Sequence, residues 1–136
     1  MPCPYFEPQK ALPQVTLANA RLPLIDEFDG LCRALPEATP VPDGARLRLC
    51  NHGNVRGLCS HFPAQEPRCC FRFEVLRRSA AQLDLLFIEE SLYAPLAWHP
   101  VTFEMEHEQL TPDPLDPCQR AQLLSFCRSY LRHCPA

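Results

Sequence analysis

Glycine is scarce in this chain, with four in 136 residues, all between Gly30 and Gly57. Flexible linkers are therefore excluded over most of its length. No apolar run approaches the length that crosses a bilayer, so no membrane partner is expected. The N-terminus, MPCPYFEPQK, lacks a basic n-region and an apolar h-region. No secretory signal is expected, and the expected compartment is the cytoplasm, where thiols stay reduced. The chain has no G-x-S-x-G, no H-E-x-x-H and no phosphate loop, which removes the commonest catalytic signatures. No C-x2-C occurs either, so a standard zinc knuckle is absent.

Proline and cysteine are abundant, at sixteen and nine. Half of the prolines precede Gly44, which makes that stretch stiff and extended. An odd number of cysteines leaves at least one outside any set of intrachain disulfides. Hydrophobic content of 46% suits one globular domain spanning residues 1–136.

Charge is unevenly placed. From Asp43 to Arg78 seven arginines face three acids, while from Ser79 to Asp113 seven acids stand alone. The basic surface is too small and diluted for nucleic acid. Its arginines suit cross-strand pairing with the acidic segment.

The pattern predicts an α+β fold: a small antiparallel sheet of about three strands, packed by one C-terminal helix. A long Pro-rich N-terminal arm, residues 1–44, wraps round both, anchored by Tyr5, Phe6, Leu22, Leu24, Ile25 and Phe28. A short helical turn is expected around Glu27–Leu35, and a short strand at Arg46–Leu49. Residues 45–70 form a Cys/Gly loop region. Within residues 71–107, period-two alternation predicts strands at 71–76, 83–88 and 101–106. Ser91–Pro100 reads as a wide loop. Asp116, Pro117 and Gln119 form a capping signature for a helix over 115–134. Its apolar stripe is Leu123, Phe126, Cys127, Tyr130, Leu131 and Cys134.

The stripe accounts for Cys127 and Cys134 as core residues. Cys118 reads as a surface thiol near the helix start. Cys69 and Cys70, adjacent at a strand entry, point to opposite faces, with one packing in the core. Cys3, Cys32, Cys50 and Cys59 remain, spaced C-x28-C-x17-C-x8-C in loop-like sequence where packing does not explain them. Four thiolates suit an iron–sulfur cluster or tetrahedral zinc. Pro4 beside Cys3, and Arg56 inside the Cys50–Cys59 loop, tilt the reading towards a 4Fe–4S cluster, whose negative charge the arginines offset. Against it, Cys50-x-His52 and Cys59-x-His61 offer an alternative Cys2His2 zinc set.

Cys50, Arg56, Cys59, Phe62 and Pro63 resemble the second half of a motif in uncharacterised bacterial cysteine-cluster proteins of the zinc/iron-chelating kind. The dense cysteine run of the first half is absent, so Cys3 and Cys32 would take its place. The resemblance covers residues 50–63 and implies metal binding.

The expected function is that of a small metalloprotein serving electron transfer, redox sensing or structure. The alternative is a zinc-binding or metal-free module that docks a protein partner. Catalysis is the weakest reading; His99, His107, Glu89 and Glu90 are its acid–base groups, each with a plain strand-end or loop role.

Overall fold

The computed structural model describes residues 1–12, 22–53, 58–63, 68–91 and 94–134. Its strands form two antiparallel sheets, not one. The first joins β1 (Phe6–Ala11), β2 (Phe28–Cys32) and β3 (Thr39–Pro40) in that order. The second is a meander of β4 (Cys70–Arg78), β5 (Gln82–Ser91), β6 (Ala94–Glu104) and β7 (Gln109–Thr111).

The single small sheet and the wrapped arm expected from sequence are thus corrected. Part of residues 1–44 forms a sheet of its own. Its strands are short and interrupted by proline, which hid their alternation. Pro8 is accommodated because β1 is an edge strand, where a missing N–H costs no ladder bond. Phe28–Cys32 is a strand, not a helical turn, since pairing with β1 overrides weak local preference. Gly30 lets the two strands meet: a Cβ there would lie 2.1 Å from the Glu7 carbonyl oxygen.

The expected strand at Arg46–Leu49 is also corrected. A short turn, α1 (Asp43–Ala45), runs into a π-helical segment over Arg46–Asn51. A run so short carries too little pattern to separate strand from helix.

In the second sheet Phe73 lies opposite Phe87, and Val75 opposite Leu85. Ser91–Pro100 is not a wide loop: its residues from Ala94 onward belong to β6. β7 covers only Thr102 to Glu104 of that strand, leaving the stretch with Pro95 and Pro100 on an open edge. Prolines are tolerated there, and alternation is weak because neither side of the strand is deeply covered.

The second helix, α2 (Pro117–His133), begins as expected. Asp116 accepts a hydrogen bond from the Gln119 N–H at 3.0 Å. The helix packs mainly on β1 and also touches β4, so it buries two faces. Phe126 meets Phe73 at 5.4 Å between ring centres. Cys118, Gln122, Ser125 and Ser129 form a second buried stripe at helical spacing. Cys118 is therefore fully buried rather than a surface thiol, and Cys134 is exposed rather than core. Phe6, Leu24, Phe28, Phe71, Leu85 and Phe103 belong to one continuous core shared by both sheets. Among the described residues, no helix is long and apolar enough to cross a membrane.

Asp26 ties the N-terminal region to the end of α2. It is buried, bonds Arg132, and lies 2.8 Å from His133 Nε2. It follows Ile25, a β-branched residue held at φ 72°, a costly left-handed conformation. Burial alone would raise the Asp26 carboxyl, but Arg132, Ser129 and His133 hold it below its ordinary 3.8. A depressed carboxyl stabilises the fold above its unfolded pKa, and that contribution fades as pH falls through the lower folded value. Asp26→Asn should cost about 1–3 kcal/mol at neutral pH. It should also flatten the loss of stability below about pH 4. Urea melts from pH 2 to 7 check both, and parallel acid limbs in parent and variant would refute the assignment.

Candidate metal centre

Four separate chain segments deliver the four cysteines singled out from sequence. Cys3 lies just before β1, Cys32 ends β2, Cys50 sits in the π-helical segment, and Cys59 follows in the next loop. The Cys3 N–H donates to the Cys50 carbonyl at 3.0 Å. Cys32 pairs with Phe6, three residues beyond Cys3. The Cys59 carbonyl accepts from Phe62 N–H at 3.2 Å, closing a turn. Phe62 then packs edge-on against Tyr5, with ring centres 5.6 Å apart.

Burial governs the chemistry of two of these thiols. Burial pushes the Cys3 thiol far above its ordinary range, and the charges of Cys50, Cys32 and Cys59 add to the shift. Cys50 is pushed up to about 12, by burial first and then by Cys32 and Cys59. All four are half-buried.

No three of the four thiols lie mutually within 4.8 Å. Tetrahedral zinc with sulfurs at ~2.3 Å places the sulfurs roughly 3.8 Å apart. Among the described residues, the one group of three or more ligand-type side chains mutually within 4.8 Å is Glu104, Glu106 and His107. That trio has a local cause. Glu104 accepts from the N–H groups of Glu106 and His107 at 3.0 and 2.9 Å, capping the β6–β7 turn.

Residues that sequence reasoning passed over hold the backbone around Cys3 and Cys50. Asn51, beside Cys50, is buried and bonds three backbone groups. It accepts from Phe28 N–H at 2.8 Å and donates to the Phe28 and Arg46 carbonyls, each at 2.9 Å. Gln122 of α2 is fully buried, and its Nε2 donates to the Cys3 and Phe6 carbonyls at 2.9 and 2.8 Å. Its Oε1 is the one buried side-chain oxygen or nitrogen without a partner among the described residues. Pro2 and Pro4 bracket Cys3 and are fully buried. Gly53, at φ +85°, passes so close to Met1 that a Cβ would fall 1.7 Å from the Met1 carbonyl oxygen. An asparagine inside a cysteine loop and a glutamine on a helix face that should be apolar were the available signals.

The other candidates stand elsewhere. His52 and His61, the alternative zinc ligands, are exposed. Arg56 lies outside the described residues. Arg72 and Arg77 pair across strands with Glu90 and Asp84 at 3.0 and 2.8 Å, as cross-strand pairing requires. Cys127 and Cys118 are fully buried thiols, each pushed up to about 12 chiefly by burial. The helix N-terminus therefore does not activate Cys118. Cys69 and Cys70 are both half-buried, and Cys70 opens β4 opposite Glu90.

No protein family matches this chain, and no curated protein or solved structure does either.

Proposed function

We propose that this chain is a small metalloprotein that holds an iron–sulfur cluster, of the 4Fe–4S type, on Cys3, Cys32, Cys50 and Cys59. The carrying observation is backbone geometry: Cys3 N–H bonds the Cys50 carbonyl, Cys32 pairs with Phe6 three residues beyond Cys3, and the turn after Cys59 packs through Phe62 on Tyr5. A cluster asks less of the chain than zinc does, because each thiolate meets a different iron. Such a cluster, when bound, would supply one-electron exchange.

The chain's own residues do the holding. Gln122 fixes the backbone on either side of Cys3 from the helix, and Asn51 fixes Cys50 against β2. Buried Pro2 and Pro4 restrict the Cys3 backbone. Without a metal, burial keeps Cys3 and Cys50 as thiols; ligation takes their protons. This arrangement serves electron transfer, redox sensing, or the clamping of the N-terminal sheet.

The test is protein purified without oxygen. It should be brown, with iron and sulfide in stoichiometric amount. Cys3→Ser and Cys50→Ser should lose the colour, and Cys127→Ala and Cys134→Ala should keep it. Colourless protein with one zinc per chain would select the zinc reading. Metal-free protein of full thermal stability would select the interaction module and overturn the proposal.

A further inference from the structure

A cleft of about 250 Å³ opens between the second sheet and the start of α2, away from the four thiols. Phe87, Glu89, His99 and Val101 line its sheet side, and Asp113 and Leu123 its other wall. It lies beyond the end of β7: Thr111 is paired with Thr102, and the chain then leaves the edge of β6 through Pro112, Asp113 and Pro114, which form part of the cleft wall.

Two of its residues break the pattern of their strands. In β5, Leu83, Leu85 and Phe87 are buried on the inner face, and Glu89 continues that set into the cleft. In β6, Val101 and Phe103 are inner, and His99 continues theirs, directly opposite Phe87. An inward register position normally takes an apolar side chain. Two neighbouring polar groups there line a cavity instead of filling it.

We propose that this cleft binds a small organic ammonium compound with an apolar body of about one ring. The charge on its walls is acidic. Glu89 lies 3.5 Å from His99 Nε2, too far for a good hydrogen bond. Asp113 adds a second carboxylate, shared with Arg120 at 3.0 Å. The floor is aromatic: Phe87 stacks on Phe71 at 5.2 Å and tilts against His99 at 5.7 Å between ring centres. Ring faces and carboxylates both attract an alkylammonium group. Val101, Leu123, Pro112 and Pro114 supply apolar contact for the rest of the ligand, and Gln119 supplies an amide at the rim. A few polar groups converging on an apolar cavity is the usual form of a small-molecule site.

The test titrates the full chain with phenethylammonium chloride, followed by the NMR shifts of the Val101 and Leu123 methyl groups. Equal-sized 2-phenylethanol and 3-phenylpropionate are the neutral and anionic controls. Saturable shifts confined to the cleft are expected with the ammonium compound. The alcohol should bind about tenfold more weakly and the carboxylate not at all. Glu89→Gln, which keeps the side chain's size, should weaken ammonium binding by about tenfold at unchanged thermal stability. If that variant is less stable, Asp113→Asn should weaken binding in its place. Equal binding of the three compounds, no saturable shift, or unaltered binding by both variants would overturn the proposal.

Discussion

Gly30→Val is expected to detach β1 from β2 and, with it, to separate Cys3 from Cys32. Gly30 pairs with Pro8, and a Cβ would meet the Glu7 carbonyl oxygen at 2.1 Å and the Pro8 Cα at 2.9 Å. Both are backbone atoms of the partner strand, so no rotamer change relieves the clash. The strands must part, and the loss should exceed about 3 kcal/mol. The second sheet has its own ladder and should keep its strands. Gly44 supplies the control. A Cβ there meets nothing within 4 Å, and Gly44 sits in a helical turn. Gly44→Ala should be neutral or stabilising by up to about 1 kcal/mol. Chemical denaturation and iron content, measured on both variants, give the comparison. Gly30→Val protein with parental stability and a full metal load would contradict the strand pairing described above.

Asn51→Ala should cost about 3–5 kcal/mol, a large effect for one polar side chain. Its amide satisfies Phe28 N–H, Phe28 C=O and Arg46 C=O in a place where water is excluded. Removing it leaves those groups buried and unpaired, and each carries a desolvation penalty. The same contacts hold Cys50 at its place against β2, so metal affinity should fall alongside stability. Asn51→Asp tests the donor side alone. It keeps an acceptor for Phe28 N–H but turns the carboxylate towards two carbonyl oxygens. That variant should be at least as destabilised as Asn51→Ala. Hydrogen exchange at Phe28 and the melting curve read the effect directly. Unchanged protection at Phe28 in both variants would remove Asn51 from this role.

Much of the second sheet and the helix could be read before any coordinates. Phe71, Phe73 and Val75 alternate with charged residues, and Asp116 with Pro117 marks the helix start. Those signals are local, spanning a few residues, and tertiary contacts reinforce them. The first sheet was not legible. Phe6–Ala11 contains Pro8 and few apolar residues, and its partner Phe28–Cys32 contains Asp29 and Gly30. Neither looks like a strand until the other is beside it.

The candidate centre divides along the same line. Loop-like sequence set Cys3, Cys32, Cys50 and Cys59 apart from Cys127, but Cys32 ends β2, Cys50 lies in the π-helical segment, and Cys3, Cys32 and Cys50 all pack against the core. Cys118 is buried because a helix packed on both sheets buries a second stripe that one-sided amphipathicity does not anticipate, and Cys134 is exposed because it is the C-cap, beyond the last helical residue His133.

By itself, then, the sequence determined what short-range chemistry can decide: the period-two strands, the capped helix, and the residue types able to hold a metal. Only the tertiary structure decided which strands pair across distance. It set Cys3 against Cys50 and β1 against Cys32, and it recruited Gly30, Asn51 and Gln122 to hold that backbone. The contacts of Asn51 and Gln122 span 23 and 119 residues. The physical reason is that a hydrogen bond or a close backbone approach depends on atoms that chain closure alone brings together. No pattern within one segment records them.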